Sequence, residues 1–136
     1  MTLYPASTIY QYSNLGLSLL GEIIAKLSGM TYEQYAYDNI IRPLGLVDTR
    51  PELPESKRRG QLATGYSIES RAGTREELAF FRTRAISAAA GYSSTVRDLA
   101  KFASWQFRAL EHIDDDILSG NTLREMHPEN NFPKHI

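Results

Sequence analysis

The sequence predicts a mainly α chain with a small β hairpin or irregular insert between two principal helices. Two long segments carry apolar residues at spacings of three and four, the period of an amphipathic helix. Threonine-led capping boxes stand ahead of helical stretches, and only two short runs have strand character. The chain has 136 residues, with 42% hydrophobic and 23% charged, ordinary values for a single globular domain. A net charge of -1 points to neither nucleic acid nor an anionic membrane as partner. No apolar run approaches the roughly 18 residues that would cross a bilayer. With no cysteine there is neither a disulfide framework nor thiolate chemistry, and the compartment stays open. The start, Met1-Thr2-Leu3-Tyr4-Pro5, lacks the basic-then-apolar order of a secretory signal.

Residues 1–11 read as an extended leading segment, since Pro5 disfavours helix at Tyr4. The first helix is expected from about Asn14 to Ser28, with Gly29 as its left-handed stop. Leu17, Leu20, Ile24 and Leu27 form its stripe, widened by Leu15, Leu19 and Ile23, so the helix should be largely buried. Glu22 and Lys26 sit at i,i+4 spacing for an ion pair. Gly16 and Gly21 each cost about 1 kcal/mol against alanine, which predicts close approach by another element.

Thr31-Tyr32-Glu33-Gln34 is a capping box that opens a second helix to about Ile41, ended by Pro43. Tyr35 and Ile40 or Ile41 are its expected core residues. Pro51 to Gly60, with Lys57-Arg58-Arg59, reads as a polar connector. Leu62–Ile68 and Leu78–Phe81 suggest two short strands around a turn at Arg71-Ala72-Gly73. Ala88-Ala89-Ala90-Gly91 is a small-residue segment, suited to backbone passing close to something bulky. Thr95-Val96-Arg97-Asp98 opens a long helix to about His112. Val96, Leu99, Ala103, Phe107 and Leu110 are its expected buried face, flanked by Phe102 and Trp105, and it should pack on the first helix. Asp114-Asp115-Asp116 ends it, and Asn121 to Met126 forms a last short helix before Pro128.

Few residues offer chemistry. Three consecutive aspartates lack the alternating spacing of a calcium loop, and His112, His127 and His135 lack a zinc spacing, so neither a metal nor a cofactor is expected. Gly91-Tyr92-Ser93-Ser94-Thr95 has threonine where a nucleophile elbow needs its second glycine, and reads as the lead-in to a helix cap. The informative stretch is Tyr10-Gln11-Tyr12-Ser13-Asn14, where a loop becomes the first helix. Ser13 or Asn14 can cap that helix, which brings the Tyr12 phenol to the positive end of its dipole. Asn14 offers one acceptor and two donors at the same mouth, suited to holding a substrate amide. Taken alone, the pentad fits a plain capped helix behind an aromatic staple better than a site, since short motifs match by accident.

Tyr10-Gln11-Tyr12-Ser13-Asn14-Leu15-Gly16, then Leu19-Leu20-Gly21-Glu22-Ile23-Ile24 and Ser28-Gly29-Met30-Thr31-Tyr32, closely resemble the serine β-lactamase and penicillin-binding-protein-like hydrolases. The branch resembled is that of class C β-lactamases, esterases and D-aminopeptidase-like enzymes. The resemblance continues at Pro43-Leu44-Gly45-Leu46, Asp48-Thr49, Ala63-Thr64-Gly65-Tyr66, Ala90–Thr95 and Asp98–Phe102, in family order. It implies the helical subdomain of a β-lactamase/transpeptidase-like fold, and an acyl-enzyme mechanism on a small-molecule amide or ester. Onto this sequence it carries the Tyr-x-Asn motif: Tyr12 as catalytic acid or base, Asn14 as substrate-binding residue. The other family motifs do not carry over. Ile23, Pro54, Asp98 and Asn131 stand where S-x-x-K needs its serine before Lys26, Lys57, Lys101 and Lys134, and neither K-T-G nor H-x-G occurs. Ala6-Ser7 also replace the Pro-Gly that often precedes Tyr-x-Asn. The α/β half bearing the nucleophile is therefore expected to be absent from these 136 residues, which should be nearly inert alone. The face meant for that half should be apolar and exposed, which predicts self-association. The alternative is a non-catalytic binding or assembly module that keeps the helical scaffold.

Overall fold

The computed structural model describes residues 11–51, 53–111 and 117–127. The leading segment, Tyr10, His112, His135, the aspartate run and the Pro128 stop lie outside them. The described chain is mostly helical: α1 (Asn14–Ser28), α2 (Tyr32–Ala36) continued by one π-helical turn (Tyr37–Ile41), α3 (Glu55–Gln61), a 3-10 turn (Arg84–Ile86), α4 (Val96–Glu111) and α5 (Gly120–Met126).

Local chemistry sets both ends of α1. Ser13 is extended at φ −149°, ψ 109°, and its Oγ accepts from the Gly16 amide at 3.0 Å. Asn14 is thus the first helical residue and Ser13 the cap. Gly29, at φ +71°, ends the helix, its N–H donating to the Ala25 carbonyl. Burial of α1 departs from expectation. Gly21 is buried, whereas Leu15, Leu17, Leu19, Leu20, Ile23 and Leu27 are exposed. These apolar residues surround the helix, and only one side of it meets neighbours, namely α2 and the 3-10 turn. Glu22 and Lys26 form no ion pair; the gain for exposed charges is too small to hold two long side chains together.

Thr31 caps α2 by accepting from the Gln34 amide at 3.2 Å, but Gln34 reaches forward to Asp38 at 2.6 Å rather than back. Half of the capping box forms. The helix ends near Ile41 as predicted, with the Arg42 amide reaching the Tyr37 carbonyl one residue further than an α-helix would. Pro43 has no N–H to continue the ladder. Ala36 and Ile41 are buried, Tyr35 and Ile40 half-buried.

The stretch read as a polar connector contains α3, which starts directly after Pro54. Glu55 in the first turn and the Lys57–Arg59 run are sound helix formers, a signal the proline content obscured. The hairpin survives only as an irregular insert. Ser67 donates to Glu76 and Leu78 to Gly65, each at 2.8 Å, and Gly73 turns the chain at φ +75°. The ladder stops at one antiparallel bridge, Tyr66 with Glu77, so no strand forms among the described residues. A two-stranded ribbon with no third strand or covering helix is marginal in water.

The buried face of α4 also differs from the predicted one. Asp98, Trp105 and Ala109 are buried and Phe102 half-buried, at spacings of four, three and four, whereas Val96, Leu99 and Phe107 are exposed. Both faces are apolar, and the neighbours decide between them. Trp105, Ala109 and Leu123 of α5 make one core, with Leu44, Phe102, Leu110, Ile117 and Leu118 against it. The Phe102 and Trp105 rings lie 5.4 Å apart, and Arg124 of α5 donates to the Leu110 carbonyl. The two principal helices do not pack on each other: α4 contacts α5, and α1 contacts α2 and the 3-10 turn. An apolar cavity of about 410 Å³ lies between them, walled by Ile24, Tyr35, Ile40, Leu99 and Phe102 among others.

Candidate functional site

The loop-to-helix junction presents its polar groups to solvent. The Tyr12 hydroxyl donates to Asn14 Oδ1 at 2.7 Å. Tyr12 is 68% exposed, and Asn14 is also exposed. The geometry follows from the cap. Ser13 must be extended to reach the Gly16 amide, and in extended backbone alternate side chains share a side. Tyr12 and Asn14 therefore come together across the cap residue. Because Oδ1 is occupied by the phenol, the Asn14 Nδ2 donors are directed elsewhere and meet no partner among the described residues. The Ser18 hydroxyl holds the Asn14 carbonyl at 2.8 Å one turn on. The junction can offer a phenolic proton and an amide donor to one bound carbonyl compound.

A glycine contact holds α1 in place. A Cβ at Gly21 would stand 2.6 Å from the Ala88 Cβ, with the Tyr32 ring next at 3.7 Å. The close approach anticipated for the helix glycines, and for the small-residue segment, is thus found at Gly21 and Ala88. It is not found at Gly16, whose nearest neighbour is its own cap, Ser13, at 3.6 Å. Gly91, at φ +134°, rests against Thr83 and closes the same segment on itself.

Sequence reasoning missed a buried carboxylate. Asp98 is 1% exposed. Its Oδ2 accepts from the Asp48 amide at 2.7 Å and the Thr49 hydroxyl at 3.0 Å. Thr49 in turn shares a hydrogen bond of 2.8 Å with Ser94. Lys101 Nζ lies 3.8 Å from Oδ1, which has no hydrogen bond, and donates to the Gly45 carbonyl at 2.6 Å. Burial pushes this carboxyl up. The Asp48 amide, the Thr49 hydroxyl and the Lys101 ammonium outweigh it and hold the group below the usual carboxylate range. Half of the expected cap forms at α4: the Asp98 amide donates to Thr95 Oγ1 at 3.3 Å, while the carboxylate serves a loop fifty residues upstream. The residue pattern Asp48-Thr49 offered a hint, but not its partner. The result is a clamp that seats residues 45–50 on α4, beside the backbone bridge of Arg50 with Ser93.

Tyr92 and Tyr32 meet through their hydroxyls at 3.3 Å. Desolvation, then the Tyr32 hydrogen bond and charge, then Glu33, push the Tyr92 phenol above its ordinary value. The contact joins the opening of α2 to the lead-in of α4, residues sixty positions apart. His127 is exposed, and no group of three potential metal-ligating side chains occurs among the described residues. No described helix is long and apolar enough to cross a membrane.

The comparisons with known proteins agree with this helical architecture. A hydrolase of unguisins from Aspergillus campestris is 32% identical over 116 residues, which is 85% of this chain and 21% of that protein. The penicillin-binding protein homologue of Pyrococcus abyssi, an octamer, superposes with a TM-score of 0.72 at 30% identity, over 88% of this chain and 25% of its own. The D-amino acid amidase of Ochrobactrum anthropi gives 0.70 at 31% identity, over 89% and 33%. The chain thus spans about a fifth of the length of the first of these relatives. The Beta-lactamase family matches residues 2–134, and with that match and the shared helical fold, the chain belongs to the Beta-lactamase family of serine β-lactamase and penicillin-binding-protein-like hydrolases.

Proposed function

We propose that this chain supplies the Tyr-x-Asn wall of an acyl-transfer site that hydrolyses a small amide or ester through an acyl-enzyme. The observation that carries the reading is the Tyr12 hydroxyl donating to Asn14 Oδ1 at 2.7 Å on an exposed helix mouth. Tyr12 would pass a proton to or from the nucleophile, and Asn14 would donate Nδ2 to a substrate carbonyl. The sequence has no S-x-x-K, so the serine, its lysine and the opposite wall must come from an α/β half that these residues do not contain. Membership of the Beta-lactamase family supports a small-molecule amide or ester as the partner, and the proposed chemistry calls on no cofactor.

Hydrolysis of a chromogenic cephalosporin or a p-nitrophenyl ester should be undetectable with the 136-residue chain. In a chain that also carries S-x-x-K and K-T-G or H-x-G on its flanks, Tyr12→Phe should lower turnover about 10²–10⁴-fold, the usual worth of a general acid–base. Robust turnover by the short chain, lost in Tyr12→Phe, would refute the missing nucleophile.

A second reading is a non-catalytic assembly module, favoured by the exposed leucines and isoleucine around α1. Such a surface drives association on either reading, so the isolated chain should self-associate, while S-x-x-K upstream with K-T-G or H-x-G downstream of this segment would decide for the enzyme. A monomer by light scattering at high concentration would count against it.

A further inference from the structure

A hollow of about 250 Å³ lies between α1, the start of α2 and the 3-10 turn, and it gathers opposite charges that do not pair with one another. Its wall includes Glu22 of α1, Glu33 of α2 and Arg84 of the turn, with Ser18, Tyr32 and Ser87 between them. Glu33 is engaged: its Oε1 accepts from the Ser87 hydroxyl at 2.5 Å. The side chains of Glu22 and Arg84 have no ion-pair or hydrogen-bond partner among the described residues, although the Arg84 carbonyl accepts from the Ser87 amide. An arginine and a glutamate that face one cavity without meeting leave room for a molecule carrying both charges.

The backbone at Arg84 supplies an independent observation. Arg84 has φ +43°, the only positive value among the described non-glycine residues. That conformation is strained for any residue with a Cβ, and it persists only where the surroundings over-determine it. Here they do: Ala88 is pressed on Gly21 on one side, and Gly91 on Thr83 closes the other. Strain of this kind concentrates at functional positions, and the residue strained here is an arginine on the wall of the hollow.

We propose that this hollow binds a small zwitterion of the α-amino-acid type, its carboxylate on Arg84 and its ammonium on Glu22 and Glu33. The guanidinium offers the paired donors that a carboxylate accepts, and the two glutamates supply an excess of acceptors for an ammonium. The volume lies near the lower edge of ligand pockets, about 300 Å³, which suits an amino acid rather than a peptide. The site rests on no part of the acyl-transfer reading, since Tyr12, Asn14 and the absent nucleophile take no part in it.

The test is ligand-detected NMR on the full 136-residue chain with alanine as probe, beside propionate and ethylamine as its two halves. Alanine should bind saturably in the millimolar range, and each half at least about tenfold more weakly, the loss expected when one charge-assisted contact is missing. Arg84→Asn removes the guanidinium and keeps a residue that tolerates positive φ, so the fold should hold while alanine binding falls about tenfold. Glu22→Gln, an exposed change, should do the same to ethylamine and alanine but not to propionate. Absence of saturable alanine binding would overturn the proposal, as would equal binding of alanine and propionate. Binding unchanged in both variants, with an unchanged thermal melt, would overturn it too.

Discussion

Replacing Gly21 by alanine opposes two effects of similar size. Alanine is favoured over glycine in a helix interior by about 1 kcal/mol. Against this, the new Cβ would stand 2.6 Å from the Ala88 Cβ, a separation that side chains do not tolerate. Ala88 has no flexible end to swing aside, and its segment is held by Gly91 against Thr83, so backbone must move. Overpacking of that kind costs about 1–3 kcal/mol. The balance is a net loss of about 0–2 kcal/mol. Gly16→Ala is the control in the same helix: its Cβ would meet only Ser13 at 3.6 Å, an ordinary contact, so it should gain about 0.5–1 kcal/mol. The contrast is about 0.5–3 kcal/mol, up to several degrees in melting temperature for a domain of this size. Urea unfolding of both variants reads it directly, and Ala88→Gly in the Gly21→Ala background should recover most of the loss. If both alanines stabilise α1 equally, the close approach of α1 to residue 88 is refuted.

Asp98→Ala strands the Asp48 amide and leaves Lys101 without its counter-charge, which should destabilise by about 2–4 kcal/mol in denaturant unfolding. Because the folded carboxyl is held below its unfolded value near 4, its stabilising share is full above about pH 4 and is lost as pH falls through the folded value. Asp98→Asn should therefore flatten the acid limb of the stability–pH curve; an unchanged limb would count against the clamp. Ser13→Ala removes the cap of α1 and should cost about 1 kcal/mol, while Ser13→Asn should cost little, both read by thermal melting. Tyr92 should ionise later than an ordinary phenol in an alkaline ultraviolet titration, and Tyr32→Phe should bring it part of the way back.

Chain ends of helices were legible because their causes lie within a few residues. Ser13 reaches Gly16, Thr31 reaches Gln34, and Gly29 turns left-handed wherever it stands. The Tyr12–Asn14 pair belongs to the same class, since an extended cap residue brings its two neighbours to one side. Which face a helix buries was not legible. In α4 both the Val96–Leu99–Phe107 and Phe102–Trp105–Ala109 faces are apolar, and periodicity weighs them equally until Leu123 and Leu44 cover one. In α1 the leucines predict burial, but burial needs a neighbour, and the described chain fully buries only Gly21 and half-buries Ile24 on the same side. Family membership was likewise written in ordered local motifs. By contrast, the ties of Asp98 to Asp48 and Thr49, and the gathering of Glu22, Glu33 and Arg84 around one hollow, join residues some fifty positions apart. Sequence alone determined the two principal helices, their caps and the two polar groups at the mouth of α1, but not α3 or the fate of the hairpin. Tertiary structure decided what each element touches, because hydrogen bonds and packing act over ångströms in space, whatever their separation along the chain.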